Sequence, residues 1–174
     1  MSVADVVPPV PPVPPKVRQP AQRIDPRAIG WWMLRGALAS GIPLGVLIAA
    51  AALWEPIRVW LVAPIVVLAL VLIAKVAVEP WWRYRVHRWE ITERATYASR
   101  GWLVVEWRVS PTSRIQTVDA VRGPLEQLFG LSTLRVTTAS SYGSVDVRGL
   151  DRRTAEQAAA RLAAIAELSE GDAT

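Results

Sequence analysis

The chain holds one histidine, His87, and arginines stand close on both sides of it at Arg85 and Arg88. Nearby positive charge disfavours a protonated imidazole. That suits neither general-base chemistry nor a metal site, so His87 is expected at the surface. Carboxylates follow at Glu90, Glu93, Glu106, Asp119, Glu126 and Asp146. Their spacing gathers no acid/base pair and no cation cage. Cysteine is absent, which removes disulfides, thiolate metal sites and thiol nucleophiles. Ser140 to Ser144 reads Ser-Ser-Tyr-Gly-Ser, a polar hairpin loop without the G-x-S-x-G elbow. Gly123 and Gly130 fit helix punctuation better than a phosphate loop. These residues predict binding, not an enzyme, with no catalytic residue, no cofactor and no metal.

Arginine carries the useful signal. Residues 81–114 hold seven Arg against three Glu, a net of +4, while residues 115–174 hold six Arg against eight acids, a net of −2. Arg83, Arg85, Arg88 and Arg94 follow directly on an apolar run. Anionic lipids of an inner leaflet attract such groups by about 1 kcal/mol each, so these four are candidate headgroup contacts. A topology signal with no headgroup contact would look the same. The arginines are spread among acids without a basic recognition helix, so nucleic acid is not expected as a partner.

The elements that must position them begin with two apolar stretches. Gly36–Trp54 holds no charge, and Val59–Val78 holds only Lys75, close enough to its end to reach headgroups. About twenty residues at 1.5 Å each match the ~30 Å hydrocarbon layer, and Pro43 and Pro64 are tolerated in such helices. Glu55-Pro56-Ile57-Arg58 between them reads as a short turn at the water interface. Trp31, Trp32, Trp54, Trp60, Trp81 and Trp82 bracket the two runs, where interfacial Trp is expected as an anchor. Arg23, Arg27 and Arg35 precede the first run, Lys75, Arg83, Arg85 and Arg88 close the second, and the turn holds only Arg58. By the positive-inside rule both termini are cytoplasmic, a multi-pass plasma-membrane topology. The apolar run starts too late and is too long for a signal peptide.

Residues 1–30 contain eight of the fourteen prolines and predict an extended or disordered cytoplasmic arm. Pro11, Pro14 and Lys16 in it form P-x-x-P-x-K, a possible groove ligand or simply a tether. After residue 80 the pattern alternates. "WRYRVH", "WLVVEWRV", "LRVT" and "SVDVR" each predict a half-buried strand, giving strands near 82–91, 94–100, 102–109, 113–121, 132–139 and 143–148. "GPLEQLFG" predicts a short helix burying Leu125, Leu128 and Phe129. "DRRTAEQAAARLAAIAELS" predicts a closing helix, capped by Asp151 or by a Thr154/Gln157 box, that buries Ala155, Ala158, Leu162, Ile165 and Ala166. The expected division is an arm at 1–30, a transmembrane hairpin at 31–80, an α+β domain at 81–168 and a disordered tail at 169–174.

The order of these segments resembles a known family. Tyr84, Ile91-Thr92, the turn at Arg100-Gly101, Arg114-Ile115-Gln116-Thr117-Val118, Pro124 to Leu131 and Leu134 to Thr138 are similar to the bacterial pleckstrin-homology-like domain proteins of the YdbS type. The resemblance covers roughly residues 30–168. It implies a two-helix transmembrane hairpin followed by a pleckstrin-homology-like antiparallel barrel or sandwich, capped by the C-terminal helix. It supplies no catalytic or ligand residues and does not extend to the proline-rich arm. The function expected is a membrane-anchored interaction or scaffolding module, binding anionic lipid or a protein partner, with another membrane protein as the expected one. Ala37, Ser40, Gly41 and Gly45 would admit a second helix, or would serve packing within the hairpin. The alternative is an accessory subunit of a transporter or channel.

Overall fold

In a computed structural model, residues 19–139 and 143–171 are described. The P-x-x-P segment and Ser140–Tyr142 lie outside them. A two-residue strand, β1 (Gln22–Arg23), leads into α1 (Arg27–Leu53), with Pro43 inside it. A single tight turn at Glu55–Ile57 reverses the chain into α2 (Arg58–Ile73). Arg58 holds that turn, donating from Nε to the Ala51 carbonyl at 3.0 Å.

The second helix does not stop where the apolar residues stop. It passes through a widened π turn at Ala74–Val78 into α3 (Glu79–Val86), one helical path from Glu55 to Val86. Pro80 explains the widening: it has no N–H to give and its ring crowds the carbonyl one turn back. The alternation in "WRYRVH" predicts a strand there; the structure makes it helix, since extending a formed helix costs far less than starting a new element.

Six further strands follow: β2 (Arg88–Ile91), β3 (Ala95–Gly101), β4 (Val105–Pro111), β5 (Ile115–Val121), β6 (Leu131–Thr138) and β7 (Ser144–Asp151). They form two antiparallel sheets, β1-β2-β3-β4 and β5-β6-β7. The result is an open sandwich, not a closed barrel. α4 (Pro124–Leu128) joins β5 to β6, and α5 (Arg152–Gly171) packs across the second sheet. Asp151, not Thr154, caps α5, accepting the Arg153 N–H at 2.9 Å. Of the expected α5 stripe, Ala155, Ala158 and Leu162 are buried, whereas Ile165 and Ala166 are half-buried. Gly171 lies in that helix, so residues 169–171 extend α5 rather than begin a tail.

Four further expectations are corrected. Residues 19–30 are not part of a free arm, because β1 pairs with β2 and Ile24 and Ala28 sit in the core. Trp31 and Trp32, each 5% exposed, join that core beside Trp89, Leu134 and Leu150 and do not face an interface. Leu128 is 72% exposed, because α4 is too short to turn both of its ends inward. β4 is an open edge, with Val105, Trp107 and Val109 exposed.

Arg27 fastens the first helix to the domain. It pairs with Asp25 at 2.9 Å and with Asp151, and donates to the Phe129 carbonyl at 3.3 Å. These bonds hold the Asp25 and Asp151 carboxyls below the usual carboxylate range. Beside this clamp Gly149 has φ +78°, and a Cβ there would stand 2.8 Å from that of Ala28. Gly149→Ala is therefore predicted to destabilise the folded chain by roughly 1–3 kcal/mol. Thermal unfolding in detergent measures it, and an unchanged midpoint would show that α1 is not seated against β7.

Candidate functional site

Where α1 and α3 enter the sandwich, a cleft of about 300 Å³ opens between Trp32, Arg83, His87, Arg100, Val104 and Arg148. A neighbouring cleft of about 250 Å³ continues it upward along Arg35, Gly36 and Lys75. Each wall comes from a different element. α1 supplies Trp32 and Arg35, held by the buried tryptophan pair. Lys75 and Arg83 stand on the second helical path, at a level where the Cβ position of Gly36 lies 3.0 Å from the Lys75 carbonyl. β3 brings Arg100 and β7 brings Arg148.

The Arg83 guanidinium lies 5.6 Å from the centre of the Trp32 ring, a cation–π contact. Its Nε is buried without an acceptor. Glu79 is shared by Arg83 at 3.2 Å and Lys75 at 3.4 Å. Glu106 is shared by Arg100 at 2.9 Å and Arg108 at 3.5 Å. Asp146 is shared by Arg135 at 3.0 Å and Arg148 at 3.4 Å. Three carboxylates thus serve six cations, and among the described residues no acid pairs with Arg35. The region keeps an excess of positive charge. Arg100 holds the Glu106 carboxyl low; burial raises that of Asp146, but its two arginines outweigh this and hold it low as well.

His87 sits in this field and is not the surface residue expected. Its ring packs 5.1 Å from that of Trp32. Nδ1 lies 2.8 Å from the Arg83 carbonyl; a carbonyl only accepts, so Nδ1 carries the proton. Burial, reinforced by Arg83, Arg100 and Arg148, pushes its pKa down to about 4.

Of the four arginines expected to contact headgroups, the structure brings only Arg83 into the cleft. Arg85 is exposed on α3, and Arg88 is half-buried opposite Ser99. Arg94 lies at the β2–β3 turn, the far end of that sheet from the helices, with its carbonyl bonded to Thr112. Arg35, Arg100 and Arg148 are the members missed. Arg100 was visible as a turn residue, whereas Arg148 lies in the mildly acidic half of the chain and reaches the cleft only through sheet topology. Among the other expected anchors, Trp54, Trp60, Trp81 and Trp82 are exposed.

An antiparallel sandwich closed by a C-terminal helix and preceded by two apolar helices defines a pleckstrin-homology-like class. Residues 37–166 match the family model described as "Bacterial PH domain", and the chain belongs to that family. It is 27% identical over 165 residues to transmembrane protein YdbS of Bacillus subtilis (strain 168), covering 88% of this chain and 98% of that protein. No solved structure matches.

The low pKa of His87 fixes a pH window. The unfolded chain takes up a proton near pH 6.5 that the native site refuses until about 4. Stability present above pH 6.5 is predicted to fall as pH drops toward 4. Urea unfolding at pH 4.5 and 7 measures the loss, and His87→Gln should flatten this part of the profile. A wild-type profile already flat between those pH values would place His87 in solvent.

Proposed function

We propose that the chain is a two-span plasma-membrane protein with both termini in the cytoplasm. Its PH-like domain is held at the inner face as a module that binds anionic lipid and another membrane protein. The observation that carries this reading is the distribution of charge along the helices. Both helices are long and apolar enough to cross a bilayer, and α2 buries none of its residues. Exposed Val59, Val66 and Leu70 make an apolar surface far larger than a water-soluble monomer presents. Arg23, Arg27, Arg35, Lys75, Arg83, Arg85 and Arg88 all lie at the domain end of the hairpin, and Arg58 alone lies at the other. The relative's printed description as a transmembrane protein agrees.

A helix from another membrane protein is the partner that α1 suits. Gly41 and Gly45 stand about one turn apart, and beyond the adjacent backbone of their own helix nothing lies within 4 Å of either Cβ position, so both leave room for close approach. Gly36 and Ser40 instead pack inward. The same open glycine face supports a second reading, an accessory subunit of a transporter or channel. Neither apolar run has a charge near its middle, so in that reading the conducting path belongs to the partner. No catalytic role is assigned: the acids of the cleft are each engaged by two cations, and His87 is neutral with one nitrogen already bonded.

The chain has no cysteine of its own, so single cysteines report topology cleanly. An impermeant maleimide added to intact cells is predicted to label Glu55→Cys, and to label Gln127→Cys only after permeabilisation. The reverse pattern would overturn the orientation. Gly45→Leu should abolish crosslinks that a photo-reactive residue at Gly41 makes to a membrane partner, while leaving the maleimide pattern unchanged; retained crosslinks would remove the glycine face from the interface.

A further inference from the structure

The β3–β4 hairpin carries an apolar tip. Leu103 is 78% exposed and Val104 74%, and an adjacent Trp102 is half-buried. The register fixes where this tip lies. Arg88 pairs with Ser99, and the Ser99 hydroxyl donates to the Val86 carbonyl at 2.8 Å. Beyond Ser99 the strand therefore runs back alongside α3, toward the apolar helices, and Val104 ends up lining the same cleft as Trp32 and Arg83. Arg83 is five residues past Val78, about 7–8 Å along a helix axis. Headgroup layers are about 5–8 Å deep on each side of the hydrocarbon. Tip, cleft and headgroups are thus at one level.

We propose that the β3–β4 tip enters the interfacial layer beside the helices, and that the cleft behind it holds the phosphate of an anionic phospholipid from the same leaflet between Arg83, Arg100 and Arg148. This rests on the reading that α1 and α2 span the bilayer. Two independent observations meet here. The cations outnumber the acids that serve them, which a phosphate would balance. The apolar tip sits where lipid, and not water, would cover it. Trp32 closes the cleft on the side of the core, so the headgroup enters from the bilayer side, along Arg35 and Lys75. An exposed apolar hairpin tip far from the membrane would be an aggregation hazard; placed beside the spans, it adds a third point of attachment and fixes the tilt of the domain.

His87 makes the test direct, because it is the only histidine in the chain and its ring faces Arg83, Arg100, Arg148 and Trp32, with Glu106 and Asp146 lining the same cleft. Full-length protein would be placed in nanodiscs of phosphatidylcholine alone or of phosphatidylcholine with phosphatidylglycerol, and the histidine titrated by NMR. A bound phosphate offsets the three guanidiniums, so the midpoint should rise from about 4 in the anionic discs only. A fluorophore on Leu103→Cys should be quenched by brominated lipid and not by aqueous iodide. Arg100→Gln with Arg148→Gln, both at accessible positions, should weaken the preference for phosphatidylglycerol by roughly twenty-five-fold, about fivefold per arginine, and abolish the rise. Equal midpoints in the two discs, or a Leu103 label open to iodide, would overturn the site. If soluble glycerol phosphate moved the midpoint as far as the anionic discs do, a lipid ligand would be contradicted. Maleimide labelling of Glu55→Cys from outside cells tests the spans independently, so the site and the anchoring can fail separately.

Discussion

Trp32 belongs to two structures at once. One side of its indole completes the core with Trp31, Trp89 and Leu134; the other meets the Arg83 guanidinium and the His87 ring. Because the first turns of α1 are seated in the domain core through Ala28, Trp31 and Trp32 before the helix becomes apolar on all sides, the domain cannot swing on a linker. The second connection is as stiff, since α2 runs into α3 without leaving helical geometry, only widening at Ala74–Val78. Two helices rooted in one core fix the height and rotation of everything on the sandwich. That constraint gives the cleft a defined position relative to the two apolar helices.

The electrostatics follow from the same seating. Burying a cation without acceptors is costly, and the structure meets that cost only halfway, by sharing each of Glu79, Glu106 and Asp146 between two basic groups. The unbalanced charge lies at the end of the domain from which both apolar helices leave. Burial, reinforced by this charge, keeps His87 neutral, and the Arg83 carbonyl settles which of its nitrogens holds the proton. Charge, depth and a single reporter residue converge on one cleft.

Much of this was legible in the residues. The apolar runs and the Glu55–Arg58 turn show in composition alone, and the alternating pairs Leu134/Val136 and Val145/Val147 reflect burial of one sheet face, which periodicity records. Three features were not. The helical state of Trp82–Val86 depends on a helix already formed upstream, which overrides six residues of alternation. The depth of Trp31 and Trp32 depends on β1 and Asp25 docking to β2 and Gly149, contacts some 65 to 125 residues apart in sequence. The cleft joins Arg35, Arg83, Arg100 and Arg148 from four elements, and nothing in local spacing links them. Arg94 shows the converse: close in sequence to the second apolar run, it is carried by β2 to the distant end of the sheet.

The central claim is that hairpin and domain are one body. Spin labels at Leu53→Cys, in the last turn of α1, and at Asp119→Cys, on β5, would read it directly in nanodiscs through dipolar coupling. A single narrow distance distribution, unchanged between lipid compositions, is predicted. A broad distribution spanning many separations, as a domain on a flexible tether gives, would contradict it.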